Sequence, residues 1–401
     1  MKKLRILMIN DELGEYGGAA VYMYNVKYHL ESMGHIVKIM GSDALIESVF
    51  DDNTFIFKSF KKHPVLRYLT YFFNPSAIIL LRKVLKNFQP DVVHINNFLN
   101  YASPSILIPL KRVPTVVTAH EYKLICPRGN LEYHTGYYFN SKCKSCVGWL
   151  RFWPEKLKYA FLRKFIKNID YFIAPSEFMR DLLTKSGYNP VSTIYNGITP
   201  LPYSRINNFR CILYVGNLLK IKGVDNFLKS AAILLKKFPD MRFNIAGGGP
   251  EKEKLSNLAD SLGIKSSVTF LGHVQNSAIK ELYHNNTVVV CPSITPENLP
   301  TVIIEAMFTG RVVVASDIGG IPELINNNET GYLVKTNDYK QIADVVENLI
   351  TNTDRLQDIS VKARIFASDT FDMQKHLERL VSVYKIALDS KNNVISEKPI
   401  N

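Results

Sequence analysis

Cys211-Ile212-Leu213-Tyr214-Val215-Gly216-Asn217-Leu218-Leu219-Lys220-Ile221-Lys222-Gly223 is the stretch that decides the fold. A five-residue apolar run ended by glycine reads as a buried strand, and the loop then closes at Gly223, where an amphipathic helix begins. The same unit repeats downstream. Strands are predicted at Arg242–Ala246, Val268–Leu271, Thr287–Cys291 and Arg311–Ala315, with helical stretches between them. An earlier round precedes it. Arg5–Ile9 reads as a strand, Ala19–Met33 as a helix ended by Gly34, and His35–Met40 as the next strand. Asp91–Ile95, Thr115–Thr118, Tyr171–Ala174 and Ser192–Tyr195 continue the series. Short β-branched strands alternating with helices mean parallel sheets covered on both faces. The predicted class is α/β, with two tandem Rossmann-like doubly wound domains facing across a cleft and ligands at the strand C-termini.

A chain of 401 residues suits two cores better than one. The expected organisation is a first domain over 1–197 with a cysteine-containing insertion at 121–150, then a linker at 198–209. Asn196-Gly197-Ile198-Thr199-Pro200-Leu201-Pro202 carries the glycine and two prolines of that hinge. The second domain spans 210–370, a helix over 371–388 crosses back to the first domain, and the polar tail 389–401 is expected to be disordered.

Hydrophobic content of 46% with 21% charged residues is that of a globular enzyme. No apolar run reaches the ~18–20 residues of a membrane span. Met1-Lys2-Lys3 leads directly into the first strand rather than a signal peptide, which predicts a cytoplasmic protein. The formal charge of +13 is one-sided: residues 1–200 hold 26 Lys+Arg against 15 Asp+Glu, residues 201–401 hold 23 against 21. A basic first half implies an anionic partner. No nucleic-acid motif accompanies the charge. Instead Phe57-Lys58-Ser59-Phe60-Lys61-Lys62 and Trp149-Leu150-Arg151-Phe152-Trp153 mix cations with aromatics, which suits an anionic membrane surface.

Four clusters carry chemistry. Tyr16-Gly17-Gly18 opens the first helix, where free amides favour an anion. Lys222, beside Gly223 at a helix start, suits a diphosphate better than Lys220 does. Ala246-Gly247-Gly248-Gly249-Pro250 gives a turn with accessible amides but lacks the spacing of a nicotinamide-cofactor loop. Pro296-Glu297-Asn298-Leu299-Pro300-Thr301 with Glu305 sets two carboxylates on either side of a helix start near Thr301. Carboxylates accept paired hydrogen bonds from vicinal hydroxyls, so hexose, diphosphate and ribose would find partners in that order.

Together with Phe270-Leu271-Gly272-His273-Val274, Ser316-Asp317-Ile318-Gly319-Gly320-Ile321-Pro322-Glu323 and Gly331-Tyr332-Leu333-Val334, these motifs closely resemble the group 1 (family 4) retaining glycosyltransferases of the GT-B fold. The resemblance implies a metal-independent hexosyl transfer needing no cofactor, from a UDP- or GDP-type sugar to a lipid-linked or other glycan acceptor. It implies work in bacterial lipopolysaccharide, capsule or exopolysaccharide synthesis, peripheral on the inner face of the cytoplasmic membrane. Carried over by position, Gly17 and Gly18 lie near the donor phosphate, and His120 contacts the donor sugar. Lys222 holds the diphosphate, Glu297 faces the transferred sugar, and Glu305 binds the ribose. Gly216, Asn217, Gly248, Asn298, Leu299, Pro300 and Thr301 line the donor site. By itself, His120 reads equally as a ligand or a core residue. In the family the leaving phosphate is thought to take the acceptor proton.

The chain departs from that pattern in places. Asn217 stands where the family usually has arginine, leaving Lys222 with helix dipoles or with another cation such as Arg128. Arg311 replaces a frequent proline and reads as a surface change. Cys126, Cys143 and Cys146 with His134 would make a zinc set, or else ordinary thiols of a degenerate loop. A sugar-nucleotide epimerase and a catalytically silent binding subunit are the rival functions.

Overall fold

A computed structural model describes residues 3–14, 17–45, 53–131, 143–207 and 209–396. Most of the apolar runs become strands buried on both faces, and the chain falls into two compact units. One runs to Tyr195 and resumes at Gln374, and the other is Asn196–Met373.

Unit 1 contains β1 (Arg5–Glu12), α1 (Gly18–Ser32), β2 (Ile36–Ser42), β3 (Thr54–Phe57), α2 (Pro64–Thr70), α3 (Pro75–Phe88) and β4 (Val92–Ile95). It continues with β5 (Thr115–Thr118), α4 (Cys143–Val147), α5 (Trp149–Phe165), β6 (Tyr171–Ala174), α6 (Glu177–Lys185) and β7 (Val191–Thr193). The seven strands are parallel in the order β3-β2-β1-β4-β5-β6-β7.

Unit 2 contains β8 (Cys211–Val215), α7 (Val224–Lys237), β9 (Arg242–Ala246), α8 (Lys252–Ser261), β10 (Val268–Gly272) and α9 (Asn276–His284). Then come β11 (Val288–Cys291), α10 (Thr301–Phe308), β12 (Val312–Ser316), β13 (Tyr332–Val334), α11 (Tyr339–Thr351) and α12 (Thr353–Thr370). Its six strands are parallel in the order β10-β9-β8-β11-β12-β13. Each sheet therefore reverses its winding once, at β1/β4 and at β8/β11. The loops that diverge there leave a crevice at the strand C-termini.

Helix starts divide by residue type. Asn74, Ser176, Asp338 and Asn352 cap α3, α6, α11 and α12 by accepting a backbone N–H. The helices that follow β1, β8 and β11 start at Gly17, Gly223 and Pro300 with no side-chain cap, so their first amides stay open.

Three expectations are corrected. The polar tail is not disordered from residue 389: α13 (Met373–Ser396) carries through it, and residues 397–401 lie outside the described residues. Lys391 explains the continuation, pairing at 2.9 Å with Asp170, both nine-tenths buried. Arg311 is not a surface residue. It is fully buried and donates to the carbonyls of His284 (3.2 Å), Asn286 (2.9 Å) and Thr309 (3.1 Å), and to Ser204 through both its carbonyl and Oγ. Edge strands β3 and β13 were not anticipated: they are short and mostly only part-buried, so they lack the continuous apolar run of the inner strands.

Helix α13 packs on unit 1 through buried side chains. His376 Nδ1 lies 2.8 Å from the Tyr195 carbonyl, which can only accept, so Nε2 takes the Tyr22 hydroxyl proton at 2.9 Å. His94 sits between Thr118 Oγ1 and Tyr384 Oη, each at 2.7 Å. Burial holds His94 and His120 down to about 3 and His376 to about 4. These rings stay neutral in the fold while the unfolded chain takes up protons below its ordinary ~6.5. Stability is then expected to fall as pH drops from about 6.5 toward 4. Buried Asp11 and Glu305, whose pKa values burial raises, act with the opposite sign at and above the carboxylate range. In melts across that window, His376→Gln should show a shallower loss than the parent chain, and parallel curves would contradict the assignment.

Candidate functional site

In unit 2 the site grows from the switch point. Lys222 ends the turn after β8, and Glu297 lies in the loop after the neighbouring strand β11. One backbone contact joins these two loops, and two more tie the β11 loop to the one that follows β12. Ile294 N donates to Ile221 O at 2.9 Å, and Gly320 N to Glu297 O at 2.8 Å. Glu297 also bridges Gly319 in parallel register. Gly223 (φ 66°) packs so closely that a Cβ would stand 2.0 Å from Pro292 O, and at Gly319 (φ 65°) one would stand 2.4 Å from Glu297 O. Gly223→Ala is therefore expected to destabilise unit 2 by at least about 3 kcal/mol in denaturant melts. An unchanged midpoint would mean that the two loops are not locked.

Lys222 Nζ reaches Glu297 Oε1 at 2.6 Å, and Ser293 Oγ donates to the same oxygen at 2.7 Å. Burial works against the Lys222 ammonium, but the adjoining carboxylate outweighs it and leaves the pKa above its ordinary value. Lys220 is exposed. Burial pushes the nearby Cys291 thiol up to about 11, so it is no nucleophile at neutral pH. Glu305 is one turn into α10, where Tyr283 Oη donates to it at 2.8 Å. Burial raises its pKa, and hydrogen bonds from Tyr283 and Thr301 oppose that.

Gly216, Asn217 and Gly248 form the open rim. Gly216 N donates to Ala246 O at 2.9 Å and Leu218 N to Gly248 O at 2.8 Å, which knits the β8 and β9 loops together. A Cβ on Gly248 would meet nothing within 4 Å. Asn217 offers its carbonyl to Tyr214 Oη at 3.0 Å. Leu299, which follows Asn298, is buried, and Pro300 and Thr301 then open α10. Lys222, Glu297 and Ser293 are thus in contact, while Glu305 is engaged separately by Tyr283.

In unit 1, Gly17 (φ 101°) and Gly18 open α1 with empty space around both. Together with Asn10, Glu12, Asn97 and Glu121 they line a small cavity of about 70 Å³. His120 follows β5, with Nε2 3.0 Å from Asn96 Oδ1 and its ring 4.6 Å from that of Tyr22. The Asn96 amide nitrogen and Asn10 Oδ1 are buried with no partner among the described residues. Asp11 was missed in the sequence because it sits in a strand. Its buried carboxylate takes the amides of Asn100 (2.6 Å), Tyr101 (3.0 Å) and Ala102 (2.8 Å), which shapes the loop after β4.

The described part of the zinc set does not converge. Among the described residues no three metal-ligating side chains converge. Cys126 packs in the apolar core of unit 1, Cys143 and Cys146 are buried on α4, and His134 lies outside the described residues. Arg128 belongs to unit 1 and Asn217 to unit 2.

Two doubly wound parallel units, with glycine turns and uncapped helix starts at the switch points, define a class of proteins that bind phosphate-bearing ligands. Comparison with known proteins gives the family. Residues 16–200 match the model of glycosyltransferase family 4, and residues 203–366 that of the group 1 glycosyl transferases. The chain belongs to this family, and its two Rossmann-like units are those of the GT-B fold. An uncharacterized glycosyltransferase of Haemophilus influenzae is 34% identical over 193 residues, 47% of this chain and 54% of that protein. That match spans about half the length of the curated relative. HepE of Anabaena, solved with UDP and glucose, superposes with a TM-score of 0.70 at 18% identity over 95% of this chain and 99% of that one. A sucrose-phosphate synthase of Thermosynechococcus elongatus gives a TM-score of 0.76 at 17% identity, covering 97% of this chain and all of that one (100%). Identities this low show a shared fold. Among the described residues no helix is long and apolar enough to cross a membrane.

Proposed function

We propose that this glycosyltransferase moves a hexose-type sugar, with retention, from a UDP- or GDP-type donor to a lipid-linked glycan acceptor in bacterial surface-polysaccharide synthesis. The observation that carries this reading is the Lys222–Glu297 contact at the β8/β11 switch point, between an open glycine rim and the uncapped start of α10. A diphosphate beside Lys222 would share its ammonium with Glu297 and meet the α10 amides, so the charge that grows on the leaving group is neutralised where it appears. These cationic groups supply the stabilisation that a divalent metal would otherwise give, and neither a metal nor another cofactor is invoked. Glu297 accepts hydroxyls of the transferred sugar and Glu305 those of the ribose. By the family resemblance, His120 is assigned to the donor sugar and the Gly17 and Gly18 amides to its phosphate. The leaving phosphate takes the acceptor proton. The basic first half of the chain rests on the anionic inner face of the cytoplasmic membrane.

A thermal-shift series with UDP, GDP, ADP and their sugar conjugates, with and without EDTA, tests the donor site. A nucleotide-selective rise that survives EDTA is expected, followed by an α-linked product from an α-linked donor in NMR of the reaction. No rise with any nucleotide sinks the proposal. Asn217, neutral where the family resemblance implies arginine, favours one second reading, a silent subunit that binds donor. That reading predicts the same shift with neither transfer nor donor hydrolysis.

A further inference from the structure

A cavity of about 490 Å³ opens in unit 1 between α2 and the first half of α5. Its lining holds five cations, Lys61, Arg67, Lys123, Arg151 and Lys158, against the single carboxylate of Glu155. Lys123 is already paired with Glu121 at 3.0 Å, whereas Arg67 and Arg151 form no ion pair with any described residue. Lys158 is 6% exposed, yet only the Leu99 carbonyl, at 2.6 Å, takes one of its three donors, and its ammonium lies 3.8 Å from the Tyr71 ring centre. Glu155 is 5% exposed. One of its oxygens accepts from Tyr71 Oη and the other is buried with no partner among the described residues. A buried carboxylate oxygen left open is costly unless a donor arrives.

The walls of this basic cavity are apolar on their outer side. Val65, Leu66 and Leu69 of α2 are exposed, as are Trp149, Leu150, Trp153 and Leu157 of α5. The α5 residues fall at helical spacing on one stripe, with Arg151, Glu155 and Lys158 on the other side. A soluble anion would need the cations but not the stripe, and a neutral apolar ligand would need the stripe but not the cations. Both at once match a ligand with a phosphate head and a hydrocarbon chain.

We propose that the α2–α5 groove is the acceptor subsite, holding the phosphate head of a lipid-linked acceptor among Arg67, Arg151 and Lys158 while the lipid chain lies along α2 and α5. It rests on the reading of a lipid-linked acceptor given above.

Calorimetric titration of the full chain with farnesyl diphosphate, inorganic diphosphate and farnesol tests it. Farnesyl diphosphate is expected to bind at least about tenfold more tightly than either part alone. Arg67→Glu with Arg151→Glu should weaken that binding by about tenfold or more, since each charged hydrogen bond is worth roughly one decade. Both positions are exposed, so circular dichroism should report an unchanged fold. Inorganic diphosphate binding as tightly as the lipid would overturn the lipid assignment, and equal binding by the double variant would overturn the groove. UDP-induced stabilisation, read on the same protein, keeps the two proposals separate. If it persists while farnesyl diphosphate fails, only the groove falls. If farnesyl diphosphate binds while UDP does not, only the donor reading falls.

Discussion

Lys222→Ala is expected to lower sugar-transfer turnover by about 10²- to 10³-fold while leaving the fold intact. The argument starts from the pair itself. Lys222 and Glu297 side chains are 27% and 17% exposed, and their 2.6 Å contact is partly screened by water. Breaking such a pair costs about 1 kcal/mol of stability or less. Ser293 Oγ still donates to Glu297 in the variant, so that carboxylate keeps one partner. On the proposed mechanism the effect on the transition state is of another order, because Asn217 would supply no charge beside a departing diphosphate and Lys222 would be the ammonium that meets it. Steady-state rates of the variant, with its melting temperature and nucleotide-induced shift, make the check. Lys222→Arg should recover part of the loss. Near-parental turnover in the alanine variant would remove Lys222 from the mechanism.

Arg311→Ala is the largest expected stability effect, about 3–5 kcal/mol. The guanidinium joins the turn before β12 to the chain near Ser204 and to the end of α9. Burial lowers its pKa to about 10, so it remains charged at neutral pH. Removing it leaves several buried carbonyls without a donor and opens a cavity the length of the side chain. Denaturant titration monitored on unit 2 measures the difference. A change below about 1 kcal/mol would mean that water replaces the guanidinium with ease. Arg311→Met, which fills the space and restores no hydrogen bond, should recover only the packing part.

Much of the architecture was legible in the residues. Strands such as Val288–Cys291 and Val312–Ser316 announce themselves because both faces are buried, and a continuous apolar run has few other readings. The glycine turns were equally readable: only glycine tolerates the approach of Gly247 to Gly216, where a Cβ would stand 1.9 Å from a carbonyl oxygen. Asp11 and Arg311 were not legible. A buried charge looks the same in sequence as an exposed one, and its partners lie far along the chain, at 100–102 for Asp11 and at 204 and 284–286 for Arg311. The end of α13 was misjudged for the same reason, since the polar run around Lys391 contains a lysine whose partner, Asp170, comes from another element.

Local chemistry therefore determined from sequence alone the α/β class, the two rounds of winding and the glycine-opened helices. Each depends on residues close in the chain, whose periodicity and backbone freedom are set by their own side chains. The tertiary structure alone decided that Lys222 meets Glu297, that His120 leans on Asn96 and Tyr22, and that the cationic residues of α5 and the α2 region surround one cavity. Those are contacts between loops and helices that adjoin only after the sheets have formed. The order in which strands come together, which no short stretch encodes, is what brings them there.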